Sequence, residues 1–313
     1  MKMKALVLTG LSQLEIVEKQ IPEISHPDEV LVKMKSVGVC GSDIHYYKEG
    51  KIGSQVVQYP FTIGHEGAGI VEKVGSSVKK LKPGDRVAVE PAMPCYDCEQ
   101  CNQGRLNTCL NLKFLGCPGQ AEGCFSEYIV MPSKSCLKLE DNVTLDQAAL
   151  SEPLAIGVYA VKLSAIPMQG AKVGILGAGP IGLSVLLPAL AGGAEKIYIT
   201  DKLDERLKIA KDLGATWTGN PDKTDLVKAI DDQEAYKLDV VFECCGQQEA
   251  VDQAVKLLKP GGKLMIVGIP EFKRWSFDVD DLRRKEICIQ NVRRQNEVAD
   301  LTLEMIAEGR LIP

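Results

Sequence analysis

Lys172-Val173-Gly174-Ile175-Leu176-Gly177-Ala178-Gly179-Pro180-Ile181-Gly182 joins two apolar runs through a glycine-punctuated turn, and its reading decides the fold. The run 173–176 has the length of a buried strand, and the run 181–191 that of a helix. Between them Gly177, Gly179 and Gly182 stand in the spacing G-x-G-x-x-G, with Pro180 and Ile181 filling the turn. The first glycine permits the tight turn, the second lets backbone approach a pyrophosphate, and the third lets helix pack on strand. The helix start then offers unpaired N–H groups and a positive dipole end to phosphates. Glycine turns are common, so the next acid matters. A second strand, 196–200, ends at Asp201, 19 residues past Gly182, where a carboxylate meets the adenosine ribose hydroxyls. Such a carboxylate repels a 2′-phosphate and so favours NAD over NADP. Arg206, with Lys202, is expected near the same ribose and partly offsets the acid. Pro188 falls inside the helix, where proline removes a hydrogen bond.

Outward from this stretch the rhythm continues. Apolar strands are expected at 173–176, 196–200, 238–243, 263–267 and 287–292, with helices at 181–191, 204–213, 225–230 and 248–258. Strands alternating with helices imply a parallel sheet covered on both faces, here the doubly wound Rossmann kind. Before residue 154 the period differs. Short strands at 29–39, 67–74, 85–90, 125–131 and 136–139, with two more within 4–17 and many turns, suggest a compact β-rich region. A helix is expected at 154–164. The fold class is therefore α/β, a β-rich N-terminal domain (1–153) followed by a dinucleotide-binding domain (154–292). At 313 residues two domains are the default.

Composition narrows the function. With 45% hydrophobic and 25% charged residues this is an ordinary globular chain. A net charge of -5 and the lack of a basic, aromatic-interleaved cluster argue against nucleic acid. Eleven cysteines without a secretory signal suggest metal ligation in a reducing, cytoplasmic setting. The uncharged stretch 173–194 could cross a bilayer by length, but its glycines and prolines suit strand, turn and helix better. No membrane partner is expected.

Two metal sites are expected. Cys95, Cys98, Cys101 and Cys109 give C-x2-C-x2-C-x7-C, which suits a closed structural zinc. An iron–sulfur run opens the same way but closes after three residues with a proline following, whereas Leu110 follows here. The other cysteines, Cys117, Cys124, Cys136, Cys244, Cys245 and Cys288, read as small buried apolar residues. The second site is read from Cys40-Gly41-Ser42-Asp43-Ile44-His45, then Gly64-His65-Glu66, then Ser151-Glu152-Pro153. Cys40, His65 and one or both glutamates would bind a catalytic zinc with one position open. Ser42 and His45 would carry a proton from an alcohol, and Asp43 would orient the histidine. Glu152 is expected to act chiefly through metal-bound water or by exchange with Glu66, because four ligands including both carboxylates would leave the site negative.

These motifs, with Lys82-Pro83-Gly84-Asp85-Arg86-Val87 and in this order, resemble the zinc-dependent medium-chain dehydrogenase/reductase superfamily, and within it the polyol dehydrogenases. The resemblance implies a GroES-like catalytic domain and a Rossmann domain. It implies Cys40, His65 and Glu66 as zinc ligands, with Glu152 where alcohol dehydrogenases place a second cysteine. Ser42 and His45 match a proton relay, and Arg294 matches an arginine near cofactor and substrate. The expected substrate is a polyol of the sorbitol or xylitol kind, contacted by Ser42, Tyr46, Glu152 and Arg294. Threonine- or butanediol-type dehydrogenases are the alternatives, and a non-catalytic zinc- and nucleotide-binding protein the third. Gln295 departs from an aromatic common in relatives. Relatives also run further, so 293–313 is expected to be a shortened return segment to the first domain. A homodimer or homotetramer is expected, paired through the edge strand 287–292.

Overall fold

Strand β1 (Lys2–Gly10) reverses at Leu11 and Ser12 into β2 (Gln13–Gln20) in the computed structural model, which describes Met1–Pro313. The chain divides into two compact units. One comprises Met1–Glu152 with Ala299–Glu308 and Pro313, the other Pro153–Val298 with Gly309–Ile312.

The first unit is built on β3 (Glu29–Gly38), in which Val30, Val32 and Met34 are buried while Lys35 is exposed, the period of a half-buried strand. After it come α1 (Gly41–Glu49), β4 (Phe61–Thr62), β5 (Glu66–Val74), β6 (Arg86–Val89), β7 (Tyr128–Pro132) and β8 (Cys136–Lys138). An antiparallel sheet runs β7-β3-β5-β6-β8, and a smaller one β2-β1-β4. Val30, Val32, Val71, Val87, Cys124 and Met131 pack as its core. The stretch after Cys40 is helix α1 with Cys40 as its N-cap.

The helix expected at 154–164 starts earlier. It is α2 (Leu145–Ser164), so Ser151, Glu152 and Pro153 are helical, with Pro153 inside the helix and the unit boundary between Glu152 and Pro153. The apolar turns on both sides carry the helix through the proline, which would otherwise break it.

The second unit alternates β9 (Lys172–Leu176), α3 (Pro180–Ala191), β10 (Lys196–Thr200), α4 (Asp204–Asp212), β11 (Trp217–Gly219), α5 (Leu226–Asp231), β12 (Leu238–Glu243), α6 (Gln248–Leu257), β13 (Leu258–Ile266), α7 (Val279–Lys285) and β14 (Cys288–Asn291). Its six strands are parallel in the order β11-β10-β9-β12-β13-β14. Alternate residues serve opposite faces. Val173, Ile175, Ile197, Ile199, Val240 and Phe242 pack with Ala160 of α2 and Val185 and Leu186 of α3. Tyr198, Val241, Leu264 and Ile266 pack with Ile230 of α5 and Val251, Ala254 and Val255 of α6. Two wet-free faces explain why these strands read as continuous apolar runs. Strand β11 and helix α7 were not expected. Three residues are too few for a visible period, and α7 carries five charges in its last six residues, Asp280, Asp281, Arg283, Arg284 and Lys285. Helix α8 (Ala299–Ala307) belongs to the first unit.

Pro188 gains a structural account. It is buried within α3, and without an N–H it leaves the Ser184 carbonyl short of its helical donor. That carbonyl abuts Gly157 of α2, where an added Cβ would lie 1.8 Å from the oxygen. The two helices touch backbone to backbone through the position the proline frees, a geometry that Cα–H···O contacts favour.

Candidate functional site

In the first unit, β3 ends at Gly38 and delivers Cys40 to the start of α1. Gly64 precedes β5 with φ +96°, a left-handed conformation that suits glycine. It turns His65 and Glu66 inward, to 7% and 6% exposure. The sulfur of Cys40, a ring nitrogen of His65 and a carboxylate oxygen of Glu66 lie within 4.8 Å of one another. Gly38 makes room, since a Cβ there would meet Glu66 Oε2 at 2.3 Å. Asp43, 1% exposed, ties the pieces together. One of its oxygens accepts from the Cys40 N–H at 3.0 Å, the other from the Gly64 N–H at 3.1 Å. The latter oxygen is 3.9 Å from His65 Nδ1, an ion-pair distance rather than a hydrogen bond. Asp43 thus fixes the backbone carrying two of the three donors.

The electrostatics of this cluster call for a cation. Burial, then the Glu66 and Glu152 charges, push the Cys40 thiol up to about 12, against the pull of Ser42. Burial also lifts Glu66 to about 7 and Asp43 to about 6. A thiol and a carboxylate sunk together destabilise each other's charged forms, and a divalent ion reverses that. Sulfur, imidazole and carboxylate donors fit zinc. Glu152 stands outside the three-residue group, yet its charge reaches Cys40 and Cys124. Ser42 and His45, both half-buried, sit three residues apart and therefore on one face of α1. Tyr46 is 4% exposed, packed among Leu8, Val57, Phe61 and Ile63, with its hydroxyl donating to Gln55 at 3.3 Å.

The four-cysteine lobe is more tightly defined. Sulfur separations are 3.4 Å (Cys95–Cys109), 3.6 Å (Cys98–Cys101), 3.8 Å (Cys98–Cys109) and 4.0 Å (Cys95–Cys101). Four sulfurs at about 2.3 Å from one zinc would be about 3.8 Å apart at the tetrahedral edges, so the lobe fits that ion closed on all sides. Backbone N–H groups of Cys95 and Leu110 donate to the sulfurs of Cys109 and Cys98. Backbone donors hold the Cys95 thiol down at about 6.

In the second unit the glycines act as the spacing suggests. Gly177, at φ +109°, donates to Thr200 O, and its missing Cβ leaves space beside Cys245. On Gly182 a Cβ would meet Gly177 O at 1.8 Å. Gly179 caps α3, with Pro180 in the first turn and Ile181 following. Asp201 accepts from the N–H groups of Ala178 and Leu203, both at 2.9 Å, and Arg206 Nη1 stands 3.5 Å away. Gly177, Asp201, Leu203 and Arg206 border a cavity of about 340 Å³. Its other wall is Cys245, Gln247, Glu249, Ala250 and Gln253, none of them expected from sequence to face a ligand. The signal was available, because ligands of such sheets bind beyond the carboxyl ends of the strands where strand order reverses. Cys245 and Cys288, expected to be buried, are exposed, while Cys117, Cys124 and Cys136 are buried. Both exposed thiols sit at the sheet's periphery, one past the end of β12 and one on the edge strand. Arg294 lies in this unit, partly buried and at φ +52°, an uncommon conformation for a branched-free cationic side chain.

Comparison with known proteins agrees with this arrangement. Residues 26–141 match the alcohol dehydrogenase GroES-like domain and residues 180–308 the zinc-binding dehydrogenase model. The chain is 38% identical to sorbitol dehydrogenase of Bacillus subtilis over 98% of its length and 86% of that protein. It is 37% identical to L-idonate 5-dehydrogenase of Vitis vinifera, over 97% and 83%. Among solved structures, an alcohol dehydrogenase (rspB) of Escherichia coli complexed with NADH superposes with a TM-score of 0.91 at 30% identity, covering 100% of this chain and 89% of that one. No helix is long and apolar enough to cross a membrane.

Proposed function

From the premise that the chain belongs to the zinc-dependent medium-chain dehydrogenase/reductase family and is sorbitol dehydrogenase-like, we propose that it oxidises a secondary hydroxyl of a polyol with NAD. The observation that carries this is the convergence of Cys40, His65 and Glu66 around a space whose charge balance asks for a divalent cation.

Cys40, His65 and Glu66 would hold the catalytic zinc, and Cys95, Cys98, Cys101 and Cys109 a structural one. When bound, zinc acts as a Lewis acid that eases ionisation of a substrate hydroxyl, and NAD accepts a hydride. The chain's own part is to bind, orient and deprotonate. A thiolate and one carboxylate sum to two negative charges and match a divalent ion, whereas Glu152 as a further ligand would leave an excess. Glu152 therefore stays back as an acceptor for water or for a neighbouring substrate hydroxyl. Ser42 Oγ receives the substrate proton as it passes its own to a ring nitrogen of His45. From there the proton reaches solvent. Glu152, whose charge reaches Cys40, suits a substrate with a second hydroxyl beside the reacting one. The names of the two relatives, sorbitol and L-idonate dehydrogenases, support this over threonine or butanediol.

NAD is favoured over NADP because Asp201 lines the cavity with a carboxylate that would accept from ribose hydroxyls and repel a 2′-phosphate, with Arg206 a partial offset. Zinc thiolates and free cysteines suit the cytoplasm. The edge strand β14 is the place for pairing into a homodimer or homotetramer. A monomer in sedimentation would count against that assembly. The catalytic reading is tested by initial rates on sorbitol, xylitol, threonine and 2,3-butanediol with each nucleotide. Polyols with NAD should turn over fastest. Faster threonine or butanediol oxidation would move the substrate, and NAD binding without any turnover after zinc loading would leave only a binding protein.

A further inference from the structure

The four-cysteine lobe stands on a two-stranded foot that reaches the Cys40–His65–Glu66 cluster. Ala92–Met93 and Lys113–Phe114 pair antiparallel, Met93 opposite Lys113 and Ala92 opposite Phe114. Cys95 follows just after the first of these strands and Cys109 lies just before the second, so closing the lobe holds the two strands together. The Leu115 N–H, donating to Pro91 O at 3.0 Å, continues the pairing. Alternation then sends neighbouring side chains opposite ways. Leu115 enters the sheet core with Val89 and Met131, while Phe114, 7% exposed, packs its ring on His65. The ring centroids are 5.4 Å apart and the planes tilted by 56°, a favourable aromatic geometry. The next turn presses on the backbone just before His65. Gly116, at φ +70°, lies so close to Gly64 that a Cβ would be 2.5 Å from the Gly64 carbonyl oxygen. Beyond it, Cys117 Sγ accepts from Gln55 Nε2 at 2.8 Å, and Gln55 Oε1 accepts from the Tyr46 hydroxyl of α1.

Resting on the reading that both groups bind zinc, we propose that Phe114 is a positioning residue for His65. Through it the four-cysteine lobe is coupled to the Cys40–His65–Glu66 cluster, so that filling the lobe tightens metal binding at the cluster. An imidazole ligand must aim one nitrogen at the ion, and whatever fixes the plane of the ring fixes that aim. Asp43, 3.9 Å from Nδ1, is beyond hydrogen-bond reach, which leaves ring packing to share the task. A pair of two-residue strands is marginal by itself. The first is also held by Glu90 and Ser135, which bond the N–H and the carbonyl of Ala92. The second runs on from Cys109 and moves with the lobe. Three of the four lobe cysteines are not buried, so the lobe loosens without its metal and Phe114 loosens with it.

The test loads the whole protein with cobalt(II) in place of zinc and withdraws it with a graded chelator. Thiolate-to-metal absorption grows with the number of sulfurs, so the lobe, with four, and the cluster, with one, report separately. Wild type is compared with Phe114→Leu, which keeps apolar bulk without a ring, and with Phe114→Tyr, which keeps the ring. Cys101→Ser and the double variant Cys101→Ser/Phe114→Leu complete the set. The cluster should hold cobalt about tenfold more weakly in Phe114→Leu, the usual cost of losing a residue that orients a ligand, and Phe114→Tyr should stay close to wild type. Cys101→Ser should weaken the cluster by a similar factor and the double variant no further, because both changes break one path. Wild-type cluster affinity in Phe114→Leu overturns the proposal, including when Cys101→Ser fails to fold. So does a double variant weakened about a hundredfold, the product that independent effects would give. A wild type whose cluster takes up no cobalt would instead refute the metal reading of Cys40, His65 and Glu66.

Discussion

Replacing Glu234 by Gln should reveal how much one buried acid contributes to the second unit. Glu234 is 1% exposed and accepts from Lys172, from Lys196 at 2.6 Å and from the Tyr198 hydroxyl at 2.5 Å, joining the turn after α5 to β9 and β10. Burial alone would raise its pKa, but these donors overcome that and hold it at about 2, against 4.5 for an ordinary glutamate. That depression corresponds to about 3 kcal/mol at pH 7, at roughly 1.4 kcal/mol per unit. The lysines are 24% and 35% exposed, so solvent screening trims the figure toward about 2 kcal/mol. The sign follows from the lowered folded-state pKa. The contribution is complete above the unfolded value near 4.5 and is lost as pH falls toward 2, reaching roughly half by about pH 3.3. Urea unfolding of wild type and Glu234→Gln between pH 3.5 and pH 7 would measure the difference directly. The two should differ by about 2–3 kcal/mol at pH 7 and converge in acid. A constant gap, or one that widens as pH falls, would refute the reasoning.

Other outcomes follow from the same geometry. Asp201→Ala should weaken NAD in calorimetry much more than NADP, because it removes a ribose acceptor and a repulsive charge together; equal loss would defeat the cofactor assignment. Cys101→Ser should lower bound zinc by one equivalent per chain and reduce thermal stability, since three of the four cysteines are not buried and metal binding contributes to folding there. Unchanged zinc content would count against a four-sulfur site. Gly157→Ala should destabilise by about 1–3 kcal/mol, because the new methyl would meet the Ser184 carbonyl and force the helices apart. The helix propensity of alanine should recover only about 1 kcal/mol of it, and a net gain in stability would show that the contact is looser than drawn.

Much of this architecture was legible in local pattern. The turn Gly177–Gly182, the acid at Asp201 and the strand at 238–243 are short-range features whose physics needs no partner. The four cysteines likewise declare a tetrahedron by spacing. What sequence did not reveal depends on distant chain segments. The helical state of Ser151–Pro153 rests on flanking turns, and β11 exists only because Tyr198, Ile199 and Thr200 pair with it. Tyr46, expected to contact substrate, is packed by α1 among Leu8 and Phe61, a placement that depends on strands far along the chain.

The most direct measurement is anomalous diffraction at the zinc edge on crystals of catalytically active protein. Two peaks per chain are expected, one among the sulfurs of Cys95, Cys98, Cys101 and Cys109, the other between Cys40, His65 and Glu66. Active crystals with no scatterer at the second position would contradict the account.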